Sequence, residues 1–242
     1  MKPITAYRVL TFDCYGTLID WESGIWDAFQ PVLRRAGRDD ITRSVALEAF
    51  AQTESACQAE TPGKLYPELL TEVHRRMALR FDLQTDAELD RAFGGSVPYW
   101  PAFPDSADAL RVLKHHYHLV ILSNVNRDGF ASSNARLGVD FDAIYTAQDV
   151  GSYKPNPANF DYMLEHLERD LRVQAGDVLH TAQSLFHDHV PARCAGLACA
   201  WIDRQGLENS ENWGATAKVP ERPRVDYVFP TLQAMATAAT AG

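Results

Sequence analysis

Short apolar runs alternate with stretches of helical spacing along most of the chain. Runs at residues 8–12, 118–122, 143–146, 178–181, 197–202 and 225–229 have the length and side-chain character of strands. Helical spacing fills most of the gaps between them. Residues 106–116 carry Ala109, Leu110, Val112 and Leu113, and residues 158–169 carry Phe160, Met163, Leu164 and Leu167 on one face. This alternation predicts a parallel sheet covered on both faces. One region breaks the rhythm. Between residues 25 and 93 helical spacing recurs at 25–33, 45–56, 65–79 and 87–93, with no convincing strand. Pro62-Gly63 interrupts this block and Gly94-Gly95 closes it. The expectation is an α/β protein with a doubly wound core domain (1–20 and 100–242) and an inserted helical cap domain (21–99). The Ala/Thr-rich tail, residues 234–242, is expected to be a frayed helix end.

Composition narrows the function classes. The 242 residues are 46% hydrophobic and 23% charged, as in an ordinary globular protein. A net charge of −9 argues against a general nucleic-acid binder, which needs an excess of Lys and Arg facing phosphates. It leaves room for a small anionic substrate, because a few local cations outweigh the global sign. No apolar run is long enough to span a bilayer, so no membrane role is expected. Residues 1–10 lack the pattern of a secretory signal. Cys14, Cys57, Cys194 and Cys199 are scattered without metal-ligand spacing and read as free thiols, which fits a cytoplasmic protein.

In doubly wound sheets, ligands bind at the carboxyl ends of the strands. Four polar sites follow predicted strands. Asp13-Cys14-Tyr15-Gly16-Thr17-Leu18 comes directly after the first. Its Asp projects a carboxylate toward the crevice and its turn N–H groups suit an anion. Asp13 there reads equally as a nucleophile, a metal ligand, a base or a turn cap. Ser123, with Asn124, ends the second strand and reads as an anion donor or as the N-cap of a helix starting near Arg127. Lys154 sits in a proline-flanked loop, Ser152-Tyr153-Lys154-Pro155-Asn156-Pro157, which restricts its backbone. Asp188 lies beyond the strand that ends near Thr181.

Taken together, the order and context of these four sites resemble the haloacid dehalogenase superfamily over nearly the whole chain, helical cap included. The resemblance implies a Rossmann-like core and a covalent aspartyl intermediate. It implies Asp13 as nucleophile, Thr17 in the supporting turn, Ser123 for the substrate anion, Lys154 for charge balance and Asp188 beside the nucleophile. Cys14, Tyr15 and Asn124 join the substrate-binding set.

Phosphatases of that superfamily carry a second Asp two residues after the nucleophile to protonate the leaving alkoxide. Tyr15 stands there in this chain. Losing a general acid costs roughly 100- to 10,000-fold in rate, whereas halide leaves without a proton. Asp-x-Tyr-Gly-Thr resembles the L-2-haloacid dehalogenase branch, which implies attack on an α-carbon and hydrolysis of the resulting ester without a cofactor. The last motif, Gln183-Ser184-Leu185-Phe186-His187-Asp188, offers one carboxylate. An alternative Mg²⁺-dependent phosphatase would therefore rest on Asp13 and Asp188 alone.

The chain also departs from that branch. Gln183 replaces a Ser, Leu185 replaces the Asn that helps place the hydrolytic water, and Phe160 replaces a Tyr. Gln183, or His187 or His189, is then expected to position water in its place. Arg43 is the expected cap arginine for the halide, with Arg34, Arg35 and Arg38 as other candidates. Tyr15, Trp21, Trp100 and Phe186 are candidate walls of a small apolar pocket. The departures leave a HAD-like protein without dehalogenase activity as a further reading. The partner expected is a small anionic substrate, and the resemblance allows a homodimer.

Overall fold

The computed structural model describes residues 2–210, 219 and 221–241. Six parallel strands form one sheet: β1 (Val9–Phe12), β2 (His118–Ser123), β3 (Ala143–Thr146), β4 (Val178–Ala182), β5 (Ala198–Ile202) and β6 (Tyr227–Phe229), in the order β3-β2-β1-β4-β5-β6. β1 is central, with Phe12 in register with Ile121 on one side and Thr181 on the other. Sequential strands run outward from β1 in opposite directions. The β1/β4 border is thus the switch point, where the strand ends leave a crevice.

The strands are near-continuous apolar runs because both sheet faces are covered. Alternate residues divide between two clusters. Leu10, Phe12, Leu119 and Ile121 face one side. Val9, Val120, Leu122 and Val178 face the other, against Phe160, Met163 and Leu167 of a long helix, 158–171.

Ten α-helices complete the described fold. α1 (Trp21–Ala36), α2 (Arg43–Glu60), α3 (Tyr66–Arg80) and α4 (Ala87–Gly94) all lie between β1 and β2 and form the helical insertion. Asp20, Thr42 and Asp86 cap α1, α2 and α4 by accepting backbone N–H bonds in their first turns. The insertion leaves and rejoins the sheet through paired segments. Ile19 bridges Ala102, and Asp20 N–H donates to Pro101 O at 2.8 Å. Gly24 of α1 meets this junction so closely that an added Cβ would fall 2.2 Å from Trp100 Cδ1.

The remaining helices are α5 (Ser106–Lys114), α6 (Arg127–Leu137), α7 (Ala147–Val150), α8 (Ala158–Leu171), α9 (Val190–Cys194) and α10 (Leu232–Thr240). The tail is not frayed, contrary to its composition. α10 is capped by Thr231 and buries Leu232, Met235, Ala236 and Ala239. Tyr117 Oη donates to Ala239 O at 2.6 Å. Burial of an apolar stripe fixes a helix that propensity alone leaves marginal. Gly242 lies outside the described residues. No helix among the described residues is long and apolar enough to cross a membrane.

Candidate active site

The carboxyl ends of β1, β2 and β4 and the loop after α7 converge on one buried network. Thr17 Oγ1 donates to Asp13 Oδ2 at 2.8 Å and accepts from Gln183 N–H at 2.9 Å. Lys154 Nζ donates to Asp13 Oδ1 at 3.0 Å, to Asp188 Oδ1 at 2.6 Å and to Leu122 O at 2.8 Å. His180 Nε2 lies 3.0 Å from Asp188 Oδ1, and His180 Nδ1 lies 2.8 Å from Thr11 Oγ1. Asp13, Lys154, His180 and Asp188 are all buried.

Burial makes these charges interdependent. It would drive the Lys154 ammonium to release its proton, but the Asp13 and Asp188 carboxylates more than offset this and hold its pKa above the usual lysine value. Burial pushes Asp188 up, yet Lys154 and His180 hold it well below the carboxylate range. Asp13 is raised by burial, with Lys154 and the Thr17 hydroxyl pulling the other way. One ammonium therefore serves two carboxylates, with the shorter contact to Asp188.

Above this network lies a cavity of about 70 Å³. Ligand pockets for drug-sized molecules run to roughly 300–1,000 Å³, so this one admits only a compact ligand. The core contributes Asp13, Tyr15, Asn124, Lys154, Gln183, Ser184, His187 and Asp188 to its lining. The insertion and its return segment contribute Trp21, Phe50, Ala51, Glu54, Gln58, Tyr66 and Trp100. Tyr15 packs edge-on against Trp100, with ring centroids 5.2 Å apart, and its phenol lies 3.0 Å from Ser133 Oγ.

The polar positions singled out in the sequence divide by place. Asp13, Thr17, Gln183, Lys154 and Asp188 meet in the network. Tyr15, Asn124 and His187 line the cavity. The Asn124 amide clamps the Lys154 backbone, donating to its carbonyl at 2.9 Å and accepting from its N–H at 2.7 Å. Ser123 is buried at the end of β2, and its hydroxyl has no hydrogen-bond partner among the described residues. It does not cap α6, whose N-cap is Asn126. The Cys14 side chain packs into the core.

Two positions lie apart from this cavity. Arg43 lines a neighbouring pocket with Asp20, Glu22, Phe103 and Arg204, and its guanidinium donates to Ser23 Oγ at 3.1 Å. Phe186 faces a third cavity beside Ser55, Pro62 and Asn156. Arg35 and Arg38 are committed elsewhere, to Asp86 and to Asp40. Among the described residues lining the Asp13 cavity, Lys154 is the one Lys or Arg.

A single π-helical turn, Leu185–His189, presents the last motif. Such turns re-aim side chains within a helix. Ser184 Oγ accepts from His187 N–H at 3.0 Å and lies 3.2 Å from His187 Nδ1. His187 Nε2 has no partner among the described residues, while His189 Nε2 lies 2.9 Å from Ala182 O. Burial lowers both imidazoles to about 4, so both are neutral at pH 7.

Sequence reasoning passed over Phe50, Glu54 and Gln58 of α2. They recur at i, i+4 and i+8, which puts two polar residues in line with an apolar stripe. That interruption was the available signal. Glu54 accepts from Tyr66 Oη at 2.6 Å, and burial raises its carboxyl to about 7 against the pull of that bond.

Mg²⁺ seeks about six oxygen ligands in near-octahedral geometry. The donors here do not suit it. Asp13 and Asp188 are both bonded to Lys154, and no group of three or more His, Cys, Asp or Glu among the described residues is arranged to hold a metal.

The haloacid dehalogenase-like hydrolase family matches residues 7–180. The chain belongs to that family. Solved structures resemble this hydrolase along nearly its full length. An L-2-haloacid dehalogenase designated PA0810 is 24% identical, with a TM-score of 0.74, covering 96% of this chain and 98% of its own. The L-2-haloacid dehalogenase from Xanthobacter autotrophicus, with chloropropionic acid covalently bound, is 18% identical, with a TM-score of 0.78 and coverage of 97% and 99%. The HAD-hydrolase YfnB from Bacillus subtilis, bound to magnesium, is 17% identical, with a TM-score of 0.75 and coverage of 96% and 98%. At these identities the hydrolase shares a fold with them. No curated protein matches it.

Proposed function

We propose that this hydrolase removes halide from short 2-haloalkanoic acids, with Asp13 as nucleophile. The observation that carries the reading is the setting of Asp13. Its two oxygens are held by Thr17 and Lys154 at the floor of a compact, aromatic-walled cavity, and Tyr15 stands two residues on. An Asp13 oxygen attacks the α-carbon, the carbon–halogen bond breaks, and halide leaves with the bonding electrons. The substrate carboxylate is met by the Ser123 hydroxyl and turn N–H groups. The aromatic walls exclude bulk water and sharpen the charge interactions below them.

Hydrolysis of the ester follows. Water adds to Asp13 Cγ as the His187 imidazole takes its proton. The bond from Cγ to the substrate oxygen breaks, and the hydroxyacid departs as its alkoxide receives the proton from His187. Asp13, left as a carboxylic acid, releases the remaining proton of the water to solvent and is regenerated as the carboxylate. The neutral imidazole, with Nδ1 beside Ser184 and Nε2 unpartnered among the described residues, supports this choice over His189, which does not line the cavity.

Single turnover of 2-chloropropionate in ¹⁸O-water tests the reading. The label is expected in the Asp13 carboxylate, seen by mass spectrometry of the peptide containing it. Label appearing directly in the product, with Asp13 unlabelled, rejects the aspartyl ester.

A further inference from the structure

The cavity holds a carboxyl group that the mechanism above does not use. Glu54 enters it from α2, on the wall supplied by the insertion. Unlike Asp13 and Asp188 it has no cation partner among the described residues. Its Oε1 accepts from Tyr66 Oη at 2.6 Å. A carboxyl bonded at one oxygen retains the other for a donor role when protonated. Burial raises its pKa to about 7, so a substantial fraction is protonated at neutral pH. The titratable groups sharing its surroundings are Tyr66, Tyr153, Tyr15, Asp13, Lys154, His187 and Asp188.

Two further features give this group a task. The position two residues beyond Asp13, where an acid would assist a leaving group, is Tyr15, whose phenol is turned to Ser133. No arginine lines the cavity among the described residues, and its one cation, Lys154, is already engaged by Asp13 and Asp188, so a departing anion gains from a neutral donor.

We propose that Glu54, positioned by Tyr66, is the acid of this site, donating its proton to the leaving group as Asp13 attacks. This rests on Asp13 as nucleophile. In the first step the bond from Asp13 to carbon forms, the bond from carbon to the leaving group breaks, and the Glu54 proton passes to the departing atom. Glu54 is left as carboxylate and is reprotonated from solvent after the product leaves. The substrate class follows. Assistance matters most for a basic leaving atom, so the site suits a 2-fluoroacid, whose fluoride departs poorly without a proton, more than a 2-bromoacid.

The test compares 2-bromo-, 2-chloro- and 2-fluoropropionate with the unaltered chain and with Glu54→Gln, Tyr66→Phe and Asp13→Asn. Glu54→Gln keeps size and shape. Its kcat/KM is expected to fall roughly 100-fold or more on the fluoroacid and less than about 5-fold on the bromoacid. Activity of the unaltered chain on the fluoroacid should decline as pH rises through about 7. Tyr66→Phe removes a bond that favours the carboxylate, so that decline should move to higher pH, which a purely structural loss would not produce. Uniform loss across the three halides in Glu54→Gln, or no loss, overturns the acid role while an inactive Asp13→Asn leaves the nucleophile standing. Turnover by Asp13→Asn rejects the nucleophile, and with it the paired step proposed for Glu54. No halide release from any of the three by the unaltered chain rejects both.

Discussion

Lys154 Nζ lies 3.0 Å from Asp13 Oδ1, although 141 residues separate the two in sequence. The same nitrogen is 2.6 Å from Asp188 Oδ1, so a single cation holds two buried carboxylates together. Removing it would take the ammonium from both and leave each with a single side-chain hydrogen bond, from Thr17 or from His180. Breaking a buried ion pair from one side costs about 3–5 kcal/mol. Lys154→Met is therefore expected to lose both turnover and stability, the latter seen as a lower urea midpoint.

His187 is assigned to the second chemical step, so its loss should not prevent the first. In His187→Gln the aspartyl ester is expected to accumulate, with hydrolysis slowed roughly 100- to 10,000-fold. Mass spectrometry of the protein after mixing with 2-chloropropionate would show the adduct. Slow turnover without an adduct would place His187 outside the hydrolytic step.

The same imidazole predicts a stability profile. In the fold its pKa is about 4, below the ordinary value of 6.5. As pH falls through 6.5 the unfolded chain takes up this proton first, so the fold loses stability progressively between 6.5 and about 4. Glu54 acts with the opposite sign. Its folded value of about 7 exceeds the ordinary 4.5, so its contribution is full below 4.5 and is lost as pH rises to 7. Glu54→Gln should flatten the upper limb of a melting-temperature profile, and His187→Gln the lower one.

Metal should not matter to halide release. Asp13 and Asp188 each give Oδ1 to the Lys154 ammonium and Asp13 Oδ2 accepts from Thr17, which leaves Asp188 Oδ2 as the one oxygen of the pair without a partner among the described residues, too few for a divalent ion. Rates are expected to be the same with EDTA and with added Mg²⁺. A rate that collapses with EDTA and returns with Mg²⁺ would favour the phosphatase alternative, checked by phosphate release.

Gly24 controls how the insertion seats on the core. A methyl group there would fall 2.2 Å from Trp100 Cδ1 and 2.8 Å from its Cβ. Trp100 is buried, packs against Tyr15 and donates from Nε1 to Ser96 Oγ at 3.1 Å. Gly24→Ala should cost about 1–3 kcal/mol by overpacking and should raise KM by moving a cavity wall. Thermal denaturation with parallel kinetics would show both effects.

The sequence by itself determined the alternation of strands and helices, the helical insertion after β1 and the carboxylate at the β1 tip. These are local signals. Side-chain period reports which face of an element is buried, and a polar residue at a strand end marks the edge of the crevice. Element limits shifted by a few residues, as caps such as Asp20 extended α1 beyond its apolar stripe. The tertiary structure decided what local pattern does not encode. It docked α10 on the core by burying Met235 and Ala239, and it committed the Asn124 amide to the Lys154 backbone. It set Arg43 in a neighbouring pocket and brought Glu54 into the cavity that Asp13 lines. The physical reason is that periodicity fixes which face of a helix is apolar but not where the helix sits. The polar residues on that face gain a role only when packing chooses their neighbours.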